Sequence, residues 1–143
     1  MRFLFDTDHI SIRQRGTRPD YLNIAKQATG YSASDFAYSI VSFEEQARGA
    51  NAFVGAARRP SEVVQRHRLL EMVLSDFTTM KVLPFDDKAA EVFDRLRSQR
   101  VKVGTMDLRI ASIALSNELI LLTRNTRDFD KIPGLVTENW TVS

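Results

Sequence analysis

The sequence predicts an α/β fold with a central, mainly parallel sheet of about four to five strands flanked by helices. Short unbroken apolar runs, such as residues 3–5 (FLF) and 119–122 (LILL), are typical of strands buried on both faces of a parallel sheet. Segments with helical periodicity separate these runs, and this alternation favours right-handed strand–helix–strand crossovers. Polar and acidic residues follow several runs directly, at the edge where an open α/β sheet builds its ligand crevice.

The predicted strands follow one another with helices between them. They cover residues 3–5, 36–41, 80–83, 119–123 and 135–137. The predicted helices cover residues 10–14, 19–29, 43–76, 86–99 and 107–115, with one further helical turn within 124–131. The third helix is expected to be weak or broken at Gly49 and Gly55 and to restart at Pro60. The expected N-caps of the first, third and fifth helices are Asp8, Ser42 and Thr105.

Length and composition indicate an ordinary globular protein, and we expect residues 1–143 to form one domain. The chain has no Cys, which excludes disulfides, a thiolate nucleophile and a Cys-based zinc site. No apolar stretch approaches the roughly 20 residues that span a bilayer, and no signal peptide precedes the first strand. We therefore expect a cytoplasmic protein with no membrane partner. A net charge of +2 is compatible with a nucleic acid partner without selecting one.

Four acidic residues lie just after a predicted strand or in the first turn of a predicted helix. They are Asp6, Glu45, Asp107 and Asp128. Each also has a purely structural interpretation: Glu45 could close a capping box with Ser42, Asp107 could interact with the helix dipole, and Asp128 could belong to a turn.

The helical faces of two of these acids favour a functional role. Asp107 leads an apolar stripe and therefore points inward, whereas an acid that only pairs with the helix dipole would lie on the wet face. Glu45 shares its face with Gly49 and Ala52, whose small side chains let the helix approach the sheet. Inward carboxylates repel one another unless a cation lies among them, which indicates a hard divalent ion, Mg²⁺ or Mn²⁺. His9 and His67 are isolated and are interpreted as non-ligands.

Four segments resemble, in order, the motifs of PIN-domain ribonucleases, and especially of VapC-like toxins of bacterial toxin–antitoxin pairs. They are residues 3–10 (FLFDTDHI), 39–49 (SIVSFEEQARG), 104–112 (GTMDLRIAS) and 121–129 (LLTRNTRDF), followed by 132–135 (IPGL) and 138–140 (ENW). In the second motif the acid stands four residues before a Gly, which selects Glu45 rather than Glu44. The sequence departs from the family pattern at Asp8, where many relatives have Asn, at Gln46, which replaces an aliphatic residue, and at Asn125, which is often Asp.

The resemblance implies a PIN-like three-layer fold and a Mg²⁺-dependent endoribonuclease, with Mn²⁺ as the alternative ion. Asp6 and Asp107 would bind the metal, Glu45 would complete the cluster and orient the attacking water, and Asp128 would hold a second ion or the outer shell. The resemblance also implies an RNA substrate, a homodimer and a cognate antitoxin protein.

Further residues are expected around this acidic set. Thr7 and Thr123, at the strand ends, would hydrogen-bond the carboxylates or the phosphate. Arg109 and Arg124 would meet RNA phosphates. The other two expected outer residues are Asp8 and Asn125.

Two alternatives come from other functional classes. The order Asp6-Thr7-Asp8 after an apolar strand also fits a haloacid-dehalogenase-like phosphatase, in which Asp6 would be the nucleophile. A non-catalytic PIN-like module that binds RNA or protein is the second alternative, and it predicts indifference to Mg²⁺ and to chelator.

Overall fold

The computed structural model describes residues 1–16 and 19–142. The strands are β1 (Phe3–Phe5), β2 (Phe36–Ser39), β3 (Lys81–Leu83), β4 (Ile120–Leu122) and β5 (Thr137–Glu138). The helices are α1 (Thr7–Arg15), α2 (Pro19–Ala28), α3 (Ile40–Gly55), α4 (Pro60–Thr78), α5 (Asp87–Ser98), α6 (Thr105–Ser116) and α7 (Thr126–Phe129), with a 3₁₀ turn at Ala33–Asp35.

All five strands form one parallel sheet in the order β3-β2-β1-β4-β5. The central strand β1 lies between β2 and β4, and Phe5 at its end is in register with Leu122 at the end of β4. Because parallel strands end at the same edge, the residues after β1, β2 and β4 come together there. The predicted α/β class with a parallel sheet is confirmed.

The sheet separates two hydrophobic cores. Alternate strand residues point to opposite faces. One face, with Leu4, Ala37 and Leu121, packs against α5 and α6. The other face, with Phe3, Phe5, Phe36, Tyr38 and Leu122, packs against α1, α2 and α4. The expected three-layer arrangement is therefore present.

Several predicted helix starts were wrong. Asp6, not Asp8, caps α1, because its side chain accepts a hydrogen bond from the Thr7 amide and the helix begins immediately after the strand. Ser39, not Ser42, caps α3: its Oγ accepts from the Ser42 amide at 3.1 Å. Ile40 and Val41 have β-branched side chains, which are typical of strands. The predicted range of β2 therefore extended into residues that form the first turn of α3.

Two further boundaries differ from the prediction. Gly104 occupies the N-cap of α6, and Thr105 is its first helical residue. Helix α3 continues through Gly49, where a break was predicted, because its packing along α4 outweighs the roughly 1 kcal/mol helix penalty of one glycine. The end of α3 at Gly55 and the start of α4 at Pro60 agree with the prediction. Among residues 1–16 and 19–142, no helix has both the length and the apolar character needed to cross a membrane.

Candidate active site

Asp6 lies at the end of the central strand and is only 5% exposed. Its Oδ1 accepts a hydrogen bond from the Thr7 amide and its Oδ2 accepts one from the Thr123 hydroxyl, both at 2.8 Å. Burial, together with the charges of Asp8 and Asp107, raises the pKa of Asp6 to about 7, although these two hydrogen bonds act in the opposite direction. A buried carboxylate of this kind is stabilised in its charged form by a cation.

Asp8 joins the end of β1 to the end of β4. Its Oδ2 accepts from the Arg124 amide at 2.9 Å and lies 3.3 Å from the Thr123 hydroxyl, and its Oδ1 lies 2.7 Å from Nδ1 of His9. Asp8 is thus fixed by contacts across the sheet edge.

The charge of Asp8 acts on three other acids. It raises the pKa of Asp6, and it also raises those of Glu45 and Asp107. Asp8 is therefore a member of the acidic cluster and does not have the cap role that the sequence predicted.

Glu45 lies in the second turn of α3 and is half-buried. Burial raises its pKa, and the charge of Asp107 raises it further, while a hydrogen bond with Thr7 lowers it. The capping-box interpretation of Glu45 was wrong, because the helix starts three residues earlier than it requires. A chain of hydroxyls instead runs from Ser39 to Ser42 at 3.3 Å and from Ser42 to Thr7 at 2.9 Å, and Thr7 in turn lowers the pKa of Glu45.

Asp107 is the third residue of α6 and is also half-buried. Burial raises its pKa, as do the charges of Asp128 and Asp8. Among the described residues, no Lys or Arg side chain lowers the pKa of Asp6 or Asp107.

Asp128 lies at the rim of the cluster, with an exposed side chain. Its Oδ2 accepts from Nδ2 of Asn125 at 3.2 Å, and Nζ of Lys131 lies 3.4 Å from its Oδ1. These contacts lower the pKa of Asp128. Asn125 therefore holds Asp128 with its side chain, while its backbone amide donates to the Thr123 hydroxyl.

The two predicted phosphate contacts lie further out. Arg124 reaches the cluster through its backbone amide, whereas its half-exposed guanidinium lies 3.9 Å from Asp20 of α2. The guanidinium of Arg109 lies over the Phe93 ring at 5.9 Å, and Arg109 lines an open cleft of about 420 Å³ with Phe85. Neither guanidinium neutralises the acids.

The donor set suits a hard divalent cation in its chemistry. Every group is a carboxylate or hydroxyl oxygen, and three of the carboxylates have pKa values raised by burial and by the charge of neighbouring acids. Within the described parts of the chain, no three such side chains already enclose a common point. Mg²⁺ commonly keeps several of its waters and uses only one or two carboxylates directly, so an open set of this kind remains suitable for it.

Sequence reasoning missed two features of the site. His9 is fully buried beside Asp8, and only its adjacency to that acid in the sequence could have signalled this. Gln46, noted as a departure from the family, forms a reciprocal amide pair with Gln14 of α1 at 2.8 and 2.9 Å. This pair ties the helix that carries Glu45 to the helix that Asp6 caps.

The family model described as PIN domain matches residues 12–135, which is most of the chain. The chain belongs to the PIN-domain family. The resemblance drawn from the four motifs is thereby confirmed. The haloacid-dehalogenase-like alternative is not favoured, and the geometry gives a reason: both oxygens of Asp6 accept hydrogen bonds, which suits a held ligand better than a free nucleophile.

Curated PIN-domain relatives match over part of their length. The tRNA(fMet)-specific endonuclease VapC of Shigella flexneri is 35% identical over 77 residues, which is 51% of this chain and 58% of that protein. The ribonuclease VapC of Rickettsia bellii is 40% identical over 70 residues, which is 46% of this chain and 50% of that protein. The chain thus spans only about half the length of these relatives.

Solved structures match over nearly the whole chain. DNA-bound VapBC from Salmonella typhimurium superposes with a TM-score of 0.78 at 25% identity and covers 98% of each chain. A toxin–antitoxin complex from Klebsiella pneumoniae gives a TM-score of 0.60 at 30% identity and covers 94% of this chain and 95% of that one. The complete PIN-domain architecture is therefore shared with chains found in such complexes.

Proposed function

We propose that this PIN-domain protein is a divalent-metal-dependent endoribonuclease that hydrolyses RNA phosphodiester bonds in the cytoplasm, with Mg²⁺ or Mn²⁺ as its ion. The observation that carries the proposal is the group of carboxylates at one sheet edge, whose pKa values are raised by burial and by neighbouring acids. Among the described residues, no Lys or Arg lowers the pKa of Asp6 or Asp107, and Arg48 is the basic residue that lowers that of Glu45. The names of the VapC relatives, which are a ribonuclease and a tRNA endonuclease, support the same activity.

The acids have distinct roles in this proposal. Asp6 and Asp107 would hold the ion, and Glu45 would complete the set and orient the attacking water. When bound, the ion lowers the pKa of a water and stabilises negative charge on the scissile phosphate. Asp128, exposed at the rim, holds the outer shell or a second ion. Asp8 adds negative charge to the cluster.

In this proposal the neutral residues orient the acids, and the basic residues bind the RNA. Thr123 keeps Asp6 in place through its hydroxyl, and Thr7 does the same for Glu45. Asn125 orients Asp128. Arg124 and Arg109 contact RNA phosphates on either side of the acids, since neither guanidinium is used to neutralise the cluster.

We further propose that the chain is the toxin of a VapBC-type toxin–antitoxin module, bound by a cognate antitoxin and assembled as a homodimer, and that residues 1–143 form one nuclease domain. The matches to complexes named VapBC and toxin–antitoxin support the antitoxin partner. One sheet with a core on each face supports a single domain.

The proposal is tested with purified, antitoxin-free protein on total RNA, with Mg²⁺ and with chelator. We compare the wild type with Asp6→Asn, Asp107→Asn and the control Asp94→Asn, which makes the same change at an exposed position of α5. The first two variants should lose cleavage by more than roughly 100-fold, because even residues one contact away from a metal usually change affinity or activity about 10–100-fold. Asp94→Asn should cut like the wild type.

The same experiment separates the alternatives. RNA binding that is unchanged by metal, chelator and Asp6→Asn, without cleavage, would indicate a binding module. Turnover of a small phosphomonoester would restore Asp6 as a nucleophile. Metal-dependent cleavage that survives in both site variants would contradict the assigned ligands.

A further inference from the structure

His9 is a fully buried polar residue beside the acidic cluster, with none of its side chain exposed. Its Nδ1 lies 2.7 Å from Oδ1 of Asp8, and its Nε2 lies 3.2 Å from the backbone nitrogen of Trp140. The ring packs near Phe5 of the central strand. Each ring nitrogen therefore has a hydrogen-bond partner: Asp8 of the acidic cluster for Nδ1, and the backbone of the C-terminal segment for Nε2.

These partners determine which nitrogen of His9 carries the proton. The Trp140 amide can only donate, so Nε2 must accept with its lone pair. The proton then resides on Nδ1, which donates to the Asp8 carboxylate. His9 is therefore the neutral Nδ1–H tautomer. Nε2 must be unprotonated to accept from Trp140, and Nδ1 must be protonated to donate to Asp8.

The donors around Asp8 divide between its two oxygens. Oδ2 accepts from the Arg124 amide at 2.9 Å and lies 3.3 Å from the Thr123 hydroxyl, whose single proton points to the nearer Asp6 oxygen. Oδ1 receives His9 alone among the hydrogen bonds of the described residues. Without the imidazole, one oxygen of Asp8 would lack its donor, and the carboxylate could rotate about its side-chain bonds.

We propose that His9 is a positioning residue of the active site, which fixes Asp8 by linking its carboxylate to the backbone of the C-terminal segment at Trp140. The proposal rests on the proposed function, since it concerns the same acidic cluster. Where a His binds a metal, a carboxylate commonly accepts a hydrogen bond from the other ring nitrogen and so orients the imidazole. Here the imidazole orients the acid.

Two substitutions separate the two contacts of His9. Asn places an amide N–H near the position of Nδ1, so His9→Asn keeps a donor for Asp8 and leaves the Trp140 amide unpaired. Gln places a carbonyl near the position of Nε2, so His9→Gln keeps the acceptor for Trp140 and removes the donor to Asp8. His67→Gln, at an exposed histidine of α4, is the matched control.

The readouts are Mn²⁺ affinity by titration calorimetry, thermal unfolding, and RNA cleavage over a range of Mn²⁺ concentrations. His9→Gln should weaken Mn²⁺ binding by about 10-fold at most, the lower end of the range for residues that contact a metal ligand, because His9 acts one contact further out through Asp8. His9→Asn should weaken it clearly less. Both variants should lower the unfolding temperature by similar amounts. Excess Mn²⁺ should restore more cleavage to His9→Gln than to Asp6→Asn.

Equal loss of Mn²⁺ affinity in both His9 variants, or a greater loss in His9→Asn, would overturn the proposal, because stability or the Trp140 contact would then explain the effect. If the variants do not fold, nitrogen-15 NMR of the wild-type imidazoles decides: a proton on Nδ1 of His9 supports the proposal and one on Nε2 refutes it. A wild type that neither binds Mn²⁺ nor cuts RNA would refute the proposed function, while the NMR result would still decide the His9 contact.

Discussion

At the scale of single residues, Asp6 combines two opposing requirements. Its position after the central strand buries it, and its Thr7 and Thr123 partners hold it in one orientation. Burial and neighbouring acids nevertheless raise its pKa to about 7, so the metal-free protein carries the cost of an unfavourable charge at neutral pH.

This cost predicts a pH-dependent gain in stability for Asp6→Asn. The pKa is higher in the folded state than the ordinary value of 3.8, so the folded state binds more protons and wild-type stability falls as pH rises from about 4 to 7. In chelator at pH 8, Asp6→Asn should therefore be more stable than the wild type by on the order of 2 kcal/mol, and the gain should nearly vanish at pH 4.

Urea unfolding of both proteins at pH 4 and pH 8 measures this difference, with Asp94→Asn as the control. Saturating Mg²⁺ at pH 8 should reverse the order, because the ion stabilises only the wild-type carboxylate. A difference of the same size at both pH values would show that Asp6 is not strained by its charge.

At the scale of secondary structure elements, two glycines that both follow a helical stretch of sequence have opposite roles: one ends a helix and the other lies inside one. Gly16 ends α1 in the left-handed conformation, with φ of 71°, and its amide donates to the carbonyl of Ile12. Gly49 lies inside α3, and a Cβ added there would meet no atom within 4 Å.

Alanine substitution at these two positions should therefore have opposite effects. Gly16→Ala should destabilise the protein by about 1–2 kcal/mol, because a side chain disfavours the left-handed conformation. Gly49→Ala should stabilise it by about 0.5–1 kcal/mol, since alanine is a better helix former and the site has room. Chemical denaturation measures both, and a shift of the same sign in the two variants would contradict the assigned backbone roles.

At the scale of the whole molecule, the C-terminal segment closes one of the two cores. Trp140 is 2% exposed and packs against the rings of Phe3, Tyr31 and Phe36, with centroid distances of 4.8, 5.8 and 5.9 Å. Its backbone amide also donates a hydrogen bond to Nε2 of His9. The last residues of the chain therefore stabilise the central strand and its active-site end together.

Trp140→Ala should cost about 3–5 kcal/mol of unfolding free energy, as expected when a large buried aromatic side chain is removed. Trp140→Phe should cost clearly less, because one ring remains in the aromatic cluster. Circular dichroism during urea unfolding measures both variants without relying on the lost indole fluorescence. A cost below about 1 kcal/mol for the alanine variant would mean that the segment is not part of the core.

Local sequence patterns were sufficient to predict the α/β class and the presence of acids at the strand ends. Apolar runs and helical periodicity are local patterns, and Asp6 follows its strand whatever the neighbours of that strand are. Local patterns were less reliable at the helix starts: Ser39 and Ser42 are both good caps, and only the backbone conformation selected Ser39.

The order of the strands in the sheet could not be predicted from the sequence, and this order creates the detailed site. Placing β4 beside β1 brings the hydroxyl of Thr123 to Asp6 across 117 positions of sequence, and packing of the C-terminal segment brings Trp140 to His9 across 131. The physical reason is that strand order minimises the free energy of the whole packed molecule. Local periodicity records which face of an element is buried, but not the element that covers it.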